Sequence, residues 1–281
     1  MTKTLVHAHV YYPEMWDELA DCVAAAPSPF DLYVTIVRES PDLEQKVKSR
    51  FPAAQMIVCE NKGFDIAPFF KVLNTVDLDD YAYVVKLHTK RDMKFTMYVN
   101  GRNVWQNTWR ELLLSPFKSK ENWQKTLNLL ARDDIGMVAD GGLILNKRRD
   151  GNGKLYKKAA ALMKKLGLSV VDTDFVAGTM FAAKAPLFKC LKNRDDLFEF
   201  QPSERGGKDV LPYVCERLFG MIVSAQSKKI AALNDDMASV KRRWLMNAVL
   251  RFFFYKKVSE KKTLVKICKI PVWAKRAPNE H

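Results

Sequence analysis

Lys86, His88, Lys90 and Arg91 lie close together in "YAYVVKLHTKR", residues 81–91. Cations and an imidazole gathered at one edge do one kind of chemistry well: they hold and stabilise negative charge on a ligand. Lys86 and His88 alternate with Val85 and Leu87, so they start inside an apolar strand and not in a solvated loop. No acid lies among them. The plainer expectation for such a cluster is that Lys86 pairs with a structural acid while Lys90 and Arg91 are solvated. What Lys86 touches decides between the two.

The surrounding pattern says where this edge lies. "TLVHAHVYY", "FDLYVTIV", "AQMIVCE" and "YAYVVKL" are strands rich in β-branched and aromatic residues. Between them come helices in "EMWDELADCVAAA", in "DLEQKVKSRF" behind Ser40-Pro41, and in "APFFKVLNTV". Strands alternating with crossover helices predict an α/β fold with a mostly parallel sheet. Two further helical stretches, "NTWRELLLSP" and "SKENWQKTLNLLARD", precede a short strand in "IGMVADGG". Residues 147–158 read as a mobile polar loop before the helix "LYKKAAALMKKLGL". "DFVAGTMFAAKAPLFKCL" is a strand entering a helix, and "DVLPYVCERLFGMIVSA" a late amphipathic helix.

Ligands of an open parallel sheet sit outside the carboxyl ends of its strands. Three segments fall there: "ENKGFDIAPF", "KLHTKRD" and "ADGG". In the first, Asn61 and Gly63 tolerate a left-handed backbone, and Asp65 precedes a helix starting near Pro68. That is either a ligand-facing turn or an ordinary N-cap.

Four separated motifs, "NKGFDIAPFF", "VVKLHTKR", "FVAGTMFAAK" and "LPYVCERLFG", occur in this order and resemble the rhamnan synthesis F family of bacterial glycosyltransferases. The match spans residues 4–225. The "ENxG" turn is similar to the nucleotide-sugar pocket of GT-A fold glycosyltransferases. The resemblance implies a GT-A-like sheet and transfer of a sugar, rhamnose or another hexose, from a nucleotide diphosphate donor to a lipid-linked glycan in capsule, O-antigen or rhamnan synthesis. In many GT-A enzymes an Asp-x-Asp pair binds a divalent metal at this strand end; here "LHTK" stands in its place. Lys86, His88, Lys90 and Arg91 are therefore expected to neutralise the leaving diphosphate themselves, with no divalent metal or other cofactor. His9, Tyr11, Asn61, Gly63 and Asp65 are the nucleotide-side candidates, although a lone histidine inside a strand is more often a packing residue. Inverting transfer needs a carboxylate base, for which Asp209 comes first, then Glu216, with Asp140 and Asp65 as further candidates. Asp209 is also a suitable N-cap, and Glu216 points inward only if its helix lines the site, and otherwise pairs with Arg217 or solvent. Gly178 and Thr179 are acceptor-side candidates or simply a close-packed strand.

Composition bounds the rest. Five scattered cysteines lack metal or disulfide spacing and fit a reducing cytoplasm. The opening "MTKTLVHAHVYYPEMW" has no signal-peptide core, and no run approaches the ~18 apolar residues of a spanning helix, so neither export nor spanning is expected. Formal net charge is +14, but residues 241–276 alone hold twelve Lys or Arg against Glu260. Residues 1–235 then form the catalytic domain and 236–281 a basic, aromatic, helical tail suited to an anionic inner-membrane surface, or one that completes the core. Charge confined to a tail argues against nucleic acid as partner. The competing functions are a non-catalytic membrane-bound scaffold beside other transferases and a nucleic-acid binder.

Overall fold

The computed structural model describes residues 3–100, 102–202, 210–234, 237–258, 262–268 and 270–276. The chain opens with β1 (Thr4–His9), buried along its whole length. There follow α1 (Trp16–Ala24), β2 (Phe30–Ile36), α2 (Pro41–Arg50), β3 (Gln55–Val58), α3 (Ile66–Thr75) and β4 (Tyr83–His88). α1 forms because Trp16, Leu19, Ala20 and Val23 recur at helical spacing and all bury. α2 starts at Pro41, whose fixed φ suits a first helical position.

A hairpin, β5 (Met93–Val99) and β6 (Arg102–Gln106), comes next, where no strand was expected. Asn100 at its tip has φ +46° and donates through Nδ2 to the carbonyls of Gly142 at 3.1 Å and Ile144 at 2.6 Å, fastening the hairpin to the body. Then come α4 (Thr108–Leu114), α5 (Lys120–Leu130), β7 (Ile135–Ala139), β8 (Ile144–Leu145), α6 (Lys147–Asp150) and α7 (Gly153–Lys165). The expected loop at 147–158 is thus largely helical, with Asn146 capping α6 through the Arg149 amide. β9 (Phe175–Val176), β10 (Phe181–Lys184), α8 (Leu211–Ala225) and β11 (Lys229–Ala232) complete the main body.

The seven-stranded sheet runs β11-β7-β10-β4-β1-β2-β3, parallel except for β10. β10 follows a turn at Gly178 and Thr179, without a crossover helix before it. It enters at the end where β4 leaves and so must run antiparallel, which brings that turn level with the carboxyl end of β4. Beneath this end, Phe69, Phe181, Phe188 and Phe219 interlock with ring centroids 5.6–6.3 Å apart.

The C-terminal region is only partly the helix expected. α9 (Met237–Phe253) leads into β12 (Phe254–Val258), β13 (Lys262–Ile267) and β14 (Ile270–Arg276), an antiparallel three-stranded sheet. Alternating β-branched or aromatic and cationic residues, as in "TLVKI", favour strand over helix there. Among the described residues no helix is long and apolar enough to cross a membrane.

Candidate functional site

Lys86 is wholly buried, and its partner is Asp65, twenty-one residues earlier at the start of α3. The ammonium donates to the Asp65 carboxylate, to Thr179 Oγ1 at 3.0 Å and to the Thr179 carbonyl at 3.3 Å. Thr179 Oγ1 in turn donates to Asp65 Oδ2 at 2.5 Å. Burial pushes the Asp65 carboxyl up, but the Lys86 cation and the hydrogen bonds from Lys86 and Thr179 outweigh it and hold the group well below the ordinary carboxylate range. Burial lowers Lys86, and Asp65 opposes that. The result is an ionised pair sealed at the rim of the sheet.

This arrangement corrects one expectation. All three ammonium donors of Lys86 have acceptors within the protein, so Lys86 is the counter-ion of Asp65 and offers no free N–H to a phosphate. Nor does Asp65 cap α3, as its side chain accepts no backbone amide at the helix start.

The imidazoles of the rim are neutral. Burial drives His88 down to about 3, and its Nδ1 lies 3.6 Å from Asp65 Oδ2 with no hydrogen-bond partner among the described residues. Burial likewise lowers His9 to about 4; its Nδ1 and His7 Nε2 share Thr35 Oγ1, at 3.0 and 2.8 Å. His7, His9, Lys86 and His88 stand in register across β1 and β4 and so face one side of the sheet.

Outside this layer the groups become accessible. Thr89 Oγ1 accepts the amides of Tyr11 and Tyr12, both at 3.0 Å, which fixes the turn after β1, where Tyr11 is 40% exposed. Lys90 and Arg91 are exposed, with Arg91 paired to Glu14 and lying 4.3 Å from the Tyr12 ring centroid. Asn61 is exposed at the same edge. Gly63 has φ +63°, and a Cβ there would sit 2.7 Å from the Phe200 ring, so the turn needs glycine.

The expected carboxylates divide. Glu216, on α8, points inward: its Oε1 accepts the Gly178 amide at 2.6 Å, and its other oxygen pairs with Arg217. Burial raises its pKa, against the pull of Arg217 and the Gly178 amide. Arg217 also forms a two-pronged pair with Asp150, with contacts of 2.9 Å, and lies 4.4 Å from the Phe175 ring centroid. Asp140 is fully engaged by the Gly142 amide at 2.8 Å, Ser115 Oγ at 2.7 Å and Asn234 Nδ2 at 3.0 Å, the bonds of a structural cap at the end of β7. Asp209 lies outside the described residues.

Asp65 and Glu216 thus reach Gly178–Thr179 from two sides, through the Thr179 hydroxyl and the Gly178 amide. Both turn residues are left-handed, with φ +81° and +57°. The Glu216–Arg217 pair was one of the two expectations for Glu216, whereas Thr35 and Asp150 were not foreseen as part of this network, since nothing in their local spacing sets them apart. Among the described residues no group of three or more His, Cys, Asp or Glu is placed to hold a metal ion. A separate cavity of about 580 Å³ opens on the other flank of α3, lined by residues such as Glu60, Lys62, Lys71 and Phe198, and includes neither Lys86 nor His88.

The family model described as rhamnan synthesis protein F matches residues 1–228. Two Xanthomonas campestris pv. campestris proteins, both called uncharacterized protein WxcX, are 25% identical over 241 residues, covering 83% of this chain. The chain spans 33% of their length. Among solved structures, residues 1–349 of S. aureus TarS align at 9% identity and TM-score 0.41, covering 89% of this chain and 66% of that one. Glucosyl-3-phosphoglycerate synthase from Mycobacterium tuberculosis, in complex with phosphoglyceric acid, aligns at 12% identity and TM-score 0.37, covering 92% and 86%.

Proposed function

The chain belongs to the rhamnan synthesis protein F family, and on that premise we propose that it is a nucleotide-sugar-dependent glycosyltransferase of GT-A type acting in cell-surface polysaccharide assembly. The observation that carries the proposal is the convergence of Asp65, Lys86 and Glu216 on Gly178–Thr179, at the carboxyl rim where an open parallel sheet receives its ligands. In this assignment the nucleotide lies along Tyr11, Asn61 and Gly63. Lys90 and Arg91 meet the diphosphate, Arg91 by leaving Glu14. Lys86 acts at one remove, keeping Asp65 ionised and the turn in place.

Glu216 takes the role of base, since burial raises its pKa towards the working range of a proton acceptor. It receives the proton of the acceptor hydroxyl as that oxygen bonds to the anomeric carbon and the bond to the diphosphate breaks, with inversion. The departing diphosphate keeps the electron pair, and Lys90 and Arg91 stabilise it without a divalent metal. The acceptor is a lipid-linked glycan lying against Gly178, and the enzyme works at the cytoplasmic face of the inner membrane.

The test is release of nucleoside diphosphate from UDP-, GDP- and dTDP-sugars with a polyprenyl-linked acceptor, in EDTA and then with added Mn²⁺. Turnover in EDTA is expected. Activity that appears only with Mn²⁺ would overturn the metal-free step, and no turnover with any donor would overturn the enzyme assignment in favour of a scaffold.

A further inference from the structure

Five large apolar side chains of α9, Leu245, Met246, Val249, Leu250 and Phe253, follow one another at spacings of one and three residues, so they share one face of the helix. Such a stripe ordinarily packs on a core, yet here each is 53–58% exposed. Phe254 continues the patch, and Ile270, at the start of β14, is 66% exposed. An exposed apolar surface of this extent marks a contact with something apolar.

Charge selects the partner. The same stretch, residues 241–276, holds twelve Lys or Arg and one acid. Two copies meeting through this surface would bring two strongly cationic units together, whereas an anionic bilayer offers hydrocarbon for the stripe and lipid phosphates for the cations. No described helix is long and apolar enough to cross a bilayer. We infer that α9 and the following three-stranded sheet form a docking surface for anionic phospholipid.

The placement also bears on the site. Asn234, shortly before α9, is bonded to Asp140 at the end of β7, and Trp244 of α9 lies 5.8 Å from the Arg148 guanidinium. The lipid-facing helix therefore starts from the carboxyl rim of the sheet. A lipid-linked acceptor held in the same leaflet would reach the rim from that side. This last step rests on the glycosyltransferase assignment; the docking surface does not.

The experiment is co-sedimentation of the full chain with vesicles of phosphatidylcholine, alone or with phosphatidylglycerol. Partitioning is expected to require phosphatidylglycerol and to weaken strongly at 0.5 M salt, about one charge screening length being then only a few Å. Leu250→Glu with Phe253→Glu, both exposed and so compatible with folding, should reduce it about ten-fold. Equal binding to neutral vesicles, or no effect of the double variant, would overturn the inference. So would light scattering that shows a dimer split by the same variant with no vesicle binding. Turnover of a water-soluble acceptor analogue by the double variant should be unchanged, which separates failure of docking from failure of the enzyme assignment.

Discussion

Replacing Asp65 by Asn removes one charge from the ionised pair and leaves the shape of the site nearly intact. The Lys86 side chain is 0% exposed and that of Asp65 20%, so water cannot take over the lost compensation. Thr179 still supplies two acceptors, but neither is charged. Breaking a buried pair in this way costs about 3–5 kcal/mol, a large part of the roughly 5–15 kcal/mol that holds a typical domain together. With a urea slope near 3 kcal/mol per M, the unfolding midpoint should fall by about 1–2 M. The loss should also depend on pH. Burial already lowers Lys86, and without the Asp65 charge only Glu216 opposes it, the smallest of the effects on this group. The folded variant then binds this proton more weakly than the unfolded chain does, so its stability rises with pH up to the ordinary lysine range. Urea titrations at pH 7 and pH 9.5 should show the variant recovering relative to the unmodified protein. Lys86→Met combined with Asp65→Leu should cost less than Asp65→Asn alone, since no charge is left buried. A loss below about 1 kcal/mol with an unchanged pH slope would refute the pairing argument.

Other outcomes follow from the same geometry. His88 and His9 are held at about 3 and about 4, below the unfolded value, so their contribution is present above pH 6.5 and is lost as pH falls. Each should remove about 1.4 kcal/mol per pH unit below 6.5, and His9→Gln with His88→Gln should make the fall of the urea midpoint between pH 6.5 and 4.5 shallower, the remainder coming from buried His7, which burial also lowers. Gly178→Ala puts a Cβ 2.7 Å from Leu113 Cδ2 and 2.9 Å from Trp109 Cζ2 at a φ of +81°. The strain, about 1–3 kcal/mol, should lower the melting temperature by several degrees in calorimetry. Glu216→Gln should reduce kcat by about 10²–10⁴-fold while donor binding, read by thermal shift, persists; undiminished turnover would remove Glu216 as the base.

Local pattern was enough for the first half of the architecture. β1 to β4 and α1 to α3 follow from apolar runs broken by helical stripes and by Pro13 and Pro41, because both periodicities are written in consecutive residues. The position of the chemistry at the strand ends follows from the parallel order, and the cationic surplus of residues 241–276 can be counted directly. What Lys86 touches could not be read in this way. Its counter-charge comes from Asp65 at the start of α3 and its remaining acceptors from Thr179, ninety-three residues on. Alternation reveals which face a side chain takes but not which strand lies beside it or in which direction, so the antiparallel entry of β10 was equally hidden. The charges of the rim are a property of the sequence. Their neutralisation inside the protein is a property of the fold, since a charge removed from water must find its partner in space, wherever that partner stands along the chain.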